Sequence, residues 1–216
     1  MSNVFSYSFL TLAIISASLI GLVIPSTAGS SIDETAWNQG VVVLVDDEVL
    51  SGEIYYNPLH QLVLLRSGDG QPIATLTTRQ VQRFFYYSPQ DNIIHRFLTI
   101  ERRLRSSYVV RSFYEVVTEG PVLYLRQSNH CTARPPRESS PHTVAFHYYA
   151  YYRGKLVRAR AFEKDLLPTL LHESPALVDY MKSQRLHPYH VGDQILLVSY
   201  FNRHLAQPFA DLTSRR

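Results

Sequence analysis

The alternation of apolar and polar positions divides the chain into a strand-rich part and a shorter helical part. Between residues 37 and 128, β-branched and aromatic runs alternate with turn signals, as in "WNQGVVVLVDDEVLSGEIYY", where Asp46-Asp47 separates two apolar runs. Such signals recur about every 8–12 residues, which is typical of antiparallel hairpins rather than βαβ units. The pattern predicts an antiparallel β region that forms a small barrel or sandwich.

Local signals refine this prediction. "LVLLRSGDGQPIATL" predicts a hairpin that turns at Ser67-Gly68-Asp69-Gly70, and Gly52 inside a strand pattern indicates a bulge. "TTRQ" is consistent with one helical turn capped by Thr77 or Thr78. "VQRFFYY" then resumes as a strand, and "SSYVVRSFYEVVTEGPVLYLR" predicts two more.

A tyrosine-rich hairpin is predicted over residues 142–162, centred on "AFHYYAYYRGKLVRARAF". Alternation places Tyr149 and Tyr151 on the face opposite to that of Tyr148 and Tyr152. Arg153-Gly154-Lys155 is the predicted turn, and the return strand is predicted to run from Leu156 to Phe162 with its arginines on one face. Sheet packing alone explains this composition. The alternative is a stacking platform for an acidic glycan or another polyanion, built from Tyr149, Tyr151, Arg153, Arg158 and Arg160.

The apolar period changes after Phe162, and residues 163–216 are predicted to be helical. Leucines recur at helical spacing in "EKDLLPTLLHESPALVDYMKSQRL", Ser174-Pro175 is a helix-start signal, and Val191 opens the last helix. Strands first and helices last indicate an α+β fold with C-terminal helices.

The N-terminal segment predicts export. Phe9 to Ile24 is an apolar run of 16 residues, followed by Pro25 and the small residues Ser26-Thr27-Ala28. This order is typical of a secretory signal peptide over residues 1–28, and a linker follows at 29–36. A retained anchor is the alternative, although a spanning helix needs about 20 residues. We therefore expect a periplasmic or secreted protein with no transmembrane span once the leader is removed.

Charge and cysteine usage narrow the possible partners. The net charge is +3, and seven arginines lie between Arg79 and Arg111 against two acidic residues. A basic stripe can meet phosphate, anionic lipid or acidic glycan, but an exported protein rarely meets nucleic acid. Cys131 is the only cysteine, so no intramolecular disulfide can form; it lies in the Pro/Ser/Arg-rich segment 129–141, a predicted exposed loop.

No sequence motif identifies a reaction. The nine histidines lack metal-site spacing, and the chain contains no G-x-S-x-G, phosphate-loop or H-E-x-x-H motif. A carboxylate pair drawn from Glu101, Glu115 and Glu119 is conceivable. The sequence predicts no catalytic residue, metal ligand or cofactor, and it favours a protein that is not an enzyme.

Several segments resemble an uncharacterised family of exported bacterial proteins. The resemblance lies in "WNQGVVVLVDDEVLSGEIYYN", "VQRFFYY", "FYEVVTEGPVLYLR" and "LVDYMKSQRL" leading to "LLVSYFN". It implies export and a β-rich body with a helical C-terminus, and it brings no activity and no functional residues.

These observations lead to three functional hypotheses. The first is an exported, non-enzymatic interaction protein whose partner is a protein or another component of the envelope or extracellular space. The second is recognition of an acidic glycan or polyanion by the tyrosine and arginine hairpin. The third is an enzyme whose site is assembled from unlinked residues.

Overall fold

A computed structural model describes residues 37–68, 71–103, 108–128 and 146–206. Within these residues, ten strands form one antiparallel sheet, and a single 3-10 turn and four helices follow. This confirms the predicted α+β fold with C-terminal helices. The elements are β1 Asn38–Leu44, β2 Val49–Asn57, β3 Leu62–Arg66, β4 Ala74–Thr77, β5 Val81–Ser88, β6 Ile93–Arg103, β7 Val109–Thr118, β8 Leu123–Ser128, β9 Phe146–Tyr152, β10 Lys155–Arg158, the 3-10 turn Ala159–Ala161, α1 Phe162–Asp165, α2 Leu167–Glu173, α3 Ala176–Ser183 and α4 Val191–Ala206.

The first five strands must curl. The sheet order is β10-β9-β8-β7-β6-β5-β1-β2-β3-β4, so in a flat sheet β5 and β4 would lie about 19 Å apart, four strand spacings. Only Thr78 to Gln80 connect them, and so short a link spans about 14 Å at most. The link is a tight turn, not the helical turn expected for "TTRQ", and in it Gln80 N donates to Thr77 O at 3.0 Å. Gln80 O accepts from Val45 N at 2.9 Å, which ties the turn to the end of β1.

The curled strands enclose an aromatic core. Phe84 and Phe97 stack with ring centroids 4.5 Å apart, and Phe113 meets Phe84 edge-on at 5.1 Å. Aliphatic side chains from β1 to β5 surround these rings: Val42, Ile54, Val63, Leu65, Leu76 and Val81. We call these buried residues the curled core.

A second core lies between the sheet and the helices. Its sheet side consists of Tyr124, Ala150, Tyr152 and Val157, and helix residues such as Phe162, Leu170, Leu177 and Phe201 close it. Gln194 of α4 is fully buried here; its Oε1 accepts from the Tyr124 hydroxyl at 2.6 Å, and its Nε2 donates to Ala159 O at 3.0 Å. We call this cluster the helix-covered core.

Asn202 fastens the other end of α4 to the sheet. Its Oδ1 accepts from Val122 N at 3.0 Å, and its Nδ2 donates to Val122 O at 2.8 Å and Glu119 O at 3.0 Å. Gly120 makes this approach possible, because a Cβ there would lie 2.5 Å from Asn202 Cγ and its φ is +141°. Two side-chain amides thus satisfy polar groups that helix docking would otherwise bury unpaired.

Three further local predictions differ from the structure. The return strand β10 ends at Arg158 rather than Phe162, because the chain turns into the 3-10 turn and α1. Gly52 pairs with Gly40 without a bulge; a side chain there would lie 2.4 Å from Arg66 O. The residue before α3 is Pro175, and no side chain caps that helix.

Several predictions fall outside the described residues: the signal peptide and linker over 1–36, the loop 129–141 and Cys131. Within the described part of the chain, no helix is both long and apolar enough to cross a membrane.

Candidate functional site

The tyrosine-rich hairpin forms as an alternating two-stranded unit. Arg158 pairs with Tyr149 and Leu156 with Tyr151, and the two-residue turn Arg153-Gly154 has φ values of 47° and 78°. Ala150 and Tyr152 face the helices, whereas Tyr149 and Tyr151 face the opposite side of the sheet. Because helix packing buries Ala150 and Tyr152, a ligand can reach the hairpin only from the other face or where the helix packing ends.

The five predicted binding residues do not form one site. Tyr149, Arg158 and Arg160 line one pocket of about 370 Å³, whereas Tyr151 lines a separate groove. Arg153 lies at the hairpin turn, where its Nη1 is 3.2 Å from Glu173 Oε1 and its guanidinium sits over the Tyr152 ring. The structure thus brings together three of the five residues.

The pocket shared by Tyr149, Arg158 and Arg160 lies between the hairpin and the start of α4; we call it the hairpin pocket. Arg160 reaches it because Ala159–Ala161 forms a 3-10 turn instead of continuing the strand. Tyr149 is only 3% exposed, so it supplies part of the wall rather than a free stacking surface. The full lining is Phe146, His147, Tyr148, Tyr149, Arg158, Ala159, Arg160, Tyr189 and Val191.

Sequence reasoning missed Tyr189, which is the most exposed tyrosine of the pocket. It is 63% exposed and lies in the turn that precedes α4, within the sequence "HPYH". Its ring stands 4.1 Å from that of His190. The available signal was an aromatic residue next to a proline just before the last helix. Tyr189 is far from the hairpin along the chain, so the sequence did not connect the two.

The hairpin pocket carries positive charge that no described carboxylate compensates. Its lining contains two arginines and no carboxylate, and among the described residues neither Arg158 nor Arg160 forms an ion pair. Burial raises the pKa of the nearby Tyr114 hydroxyl to about 12, while the charges of Arg102 and Arg158 act in the opposite direction. The charge of Arg158 therefore acts on the Tyr114 hydroxyl and favours its ionised form.

A polar network in the middle of the sheet is the strongest candidate for catalysis. His95 Nδ1 lies 2.8 Å from Glu115 Oε1, and His95 Nε2 lies 3.6 Å from Asp91 Oδ2. Arg126 binds both oxygens of Glu115, at 2.6 and 2.7 Å, and this contact raises the pKa of Arg126. Both ring nitrogens of His95 already face carboxylates, so neither is directed at a substrate. The arrangement suits a structural link between the two cores.

The three carboxylates considered as an acid and base pair each have a cationic partner. Arg126 binds Glu115, Arg111 Nε lies 2.6 Å from Glu101, and Arg96 Nε lies 3.6 Å from Glu119. Among the described residues, no group of three or more His, Cys, Asp or Glu side chains is placed to hold a metal ion.

Comparison with known proteins yields no relative. No family model matches the chain, and neither a curated protein nor a solved structure is similar to it. Function is therefore inferred from the hairpin pocket itself.

Proposed function

We propose that the chain is an exported, non-enzymatic binding protein that recognises an acidic glycan through the hairpin pocket. One observation carries this proposal: two arginines that have no carboxylate partner in the described part of the chain stand beside aromatic rings in a pocket of about 370 Å³. The predicted leader over residues 1–28 supports an envelope or extracellular setting, where acidic glycans occur.

The chemistry of the lining fits a sugar that carries carboxylate or sulfate groups. A guanidinium can bind such a group through two parallel hydrogen bonds, which gives Arg158 and Arg160 a role that packing does not require. Tyr148 and Tyr189 offer ring surfaces with a hydroxyl at one end, which suits the mixed apolar and polar faces of a sugar. The cavity lies within the range of about 300–1,000 Å³ that is typical of small-ligand sites.

Isothermal titration with an acidic oligosaccharide, tetragalacturonate, tests the proposal. We expect binding that weakens as salt rises, because exposed ionic contacts are screened over about 10 Å at 0.1 M. Arg160→Gln should lower the affinity about tenfold, or ~1.4 kcal/mol. Arg103→Gln is the matched control, since Arg103 is an exposed arginine outside the pocket, and it should change little.

Two outcomes would contradict the proposal. The first is equal binding of a neutral tetrasaccharide of the same length, because the arginines would then contribute nothing. The second is the absence of any binding of acidic oligosaccharides at low salt, which would leave the hairpin as sheet surface and turn the search to protein partners.

A further inference from the structure

A second groove lies on the sheet face opposite the helices. Two adjoining cavities of about 410 and 580 Å³ share Arg83, Leu98 and Leu123 in their linings. Tyr151, which the hairpin pocket leaves out, lines the larger of the two. Because the shared residues join the cavities, we treat them as one feature and call it the back groove.

One part of the back groove has an apolar floor, whereas Gln82, Thr99 and Glu101 also line the larger cavity. Leu98, Val116, Leu123 and Tyr151 are half-buried and pack against a buried cluster that includes Ile100 and Leu125. The groove runs across the sheet from β5 and β6 to β9. Three strand spacings separate β6 from β9, which corresponds to about 14 Å. Exposure of this apolar surface to water costs free energy in proportion to its area. A ligand with an apolar chain that covers the surface would therefore be stabilised there.

The apolar surface continues out of the groove along the β5–β6 hairpin. Phe85 lines the smaller cavity and is 39% exposed. Tyr87 and its cross-strand partner Ile94 come next on the same face and are 43% and 48% exposed. Contiguous exposed apolar surface of this kind commonly marks a binding site.

A cation lies where the two cavities of the back groove adjoin. Arg83 is exposed, lines both cavities and forms no ion pair among the described residues. The other arginine of the lining, Arg96, is matched by Glu119 at 3.6 Å. Glu101, which lines the larger cavity, is in turn paired with Arg111, whose Nε lies 2.6 Å from it. Among the described residues, Arg83 is therefore the one lining charge without an ionic partner, and it lies beside the apolar part of the floor.

We propose that the back groove binds an amphipathic carboxylate, whose aliphatic chain lies on Leu98, Leu123 and Tyr151 and whose carboxylate pairs with Arg83. A single cation without an ionic partner among the described residues fits a ligand with one anionic group, and both cavities fall within the range of about 300–1,000 Å³ of small-molecule sites. This site uses different residues from the hairpin pocket and does not depend on the function proposed for it.

Titration calorimetry with decanoate tests this site. Decanol, which keeps the chain without the charge, and butyrate, which keeps the charge with a short chain, are the ligand controls. We expect decanoate to bind at least about tenfold more tightly than either, because only decanoate uses both the floor and Arg83. Arg83→Gln should remove most of the preference for decanoate over decanol, and Arg83→Lys should retain part of it.

Two further variants separate this site from the hairpin pocket and from misfolding. Arg160→Gln and the exposed Arg103→Gln should leave decanoate binding unchanged. Tyr151→Ala should weaken binding of both decanoate and decanol, because it alters the floor rather than the charge. The thermal midpoint of each variant is measured alongside to confirm that it is folded.

Several results would overturn the inference. Equal affinity for decanoate and decanol removes the role of Arg83, and loss of decanoate binding in Arg160→Gln places the carboxylate in the hairpin pocket. No decanoate binding also overturns it. In that case, sedimentation would test whether the chain self-associates. Self-association that is lost in Phe85→Ser would assign the groove to a second copy of the chain.

Discussion

The curled core and the helix-covered core are closed in different ways. The curled core is filled by aromatic and aliphatic side chains, and its elements follow one another closely along the sequence from β1 to β7. The helix-covered core contains the buried amides Gln194 and Asn202, whose partners Tyr124 and Val122 are 70 and 80 residues away. The first core therefore depends mainly on shape and volume, and the second also depends on satisfying polar groups.

The largest effect is expected from removing volume at the centre of the curled core. Phe84→Ala deletes a ring that is 1% exposed and stacks on Phe97, so it should lower the free energy of unfolding by about 3–5 kcal/mol. Urea unfolding followed by circular dichroism measures the change. Phe85→Ala is the matched control, because its ring is 39% exposed on the other face, and it should cost far less. Similar losses for both variants would show that the ring stack does not hold this core together.

A smaller and more local effect is expected from Asn202→Leu in the helix-covered core. The substitution leaves the backbone groups of Val122 and Glu119 without their partners, which should cost about 3 kcal/mol. Hydrogen exchange should rise in α4 and at Val122 before it rises in β1 to β5. Arg203→Leu, an exposed neighbour on the same helix, should leave exchange unchanged. Equal acceleration in both cores would mean that they unfold as one unit and would remove the distinction between them.

The smallest effect concerns alkaline pH, to which both cores should respond. Burial raises the pKa of Tyr86 to about 12, with the charge of Glu115 as a second cause, and burial also raises the pKa of Tyr124. The unfolded chain loses these protons near pH 10 while the folded chain keeps them, so stability should fall between about pH 10 and 12. Urea unfolding at pH 9 and pH 11.5 measures this fall.

Two conservative variants separate the cores in that experiment. Tyr86→Phe should reduce the fall with pH and change stability little at pH 7. Tyr124→Phe should also reduce it, but it should cost about 1–3 kcal/mol at pH 7, because Gln194 Oε1 loses its donor. An unchanged pH dependence in both variants would locate the alkaline effect elsewhere.

Most of the fold could be predicted because its signals are local. The turn at Asp46-Asp47, the turn formed by Thr77 to Gln80 and the alternation of Tyr149 and Tyr151 follow from short-range backbone geometry and side-chain periodicity. Arg160 was misplaced on a strand because nothing local distinguishes a continuing strand from the 3-10 turn that leads into α1. The contribution of Tyr189 to the pocket was missed because it arises only when α4 packs on the sheet.

The sequence by itself determined where most of the strands and helices lie, which residues share a face of the hairpin, and that the chain carries a net positive charge. Only the tertiary structure decided that Tyr149 joins Arg158 and Arg160 while Tyr151 joins Leu98 and Leu123. The physical reason is that periodicity fixes the direction of a side chain relative to its own strand. The elements that cover each face, and the charges left without a partner, are set by contacts between segments far apart in the chain.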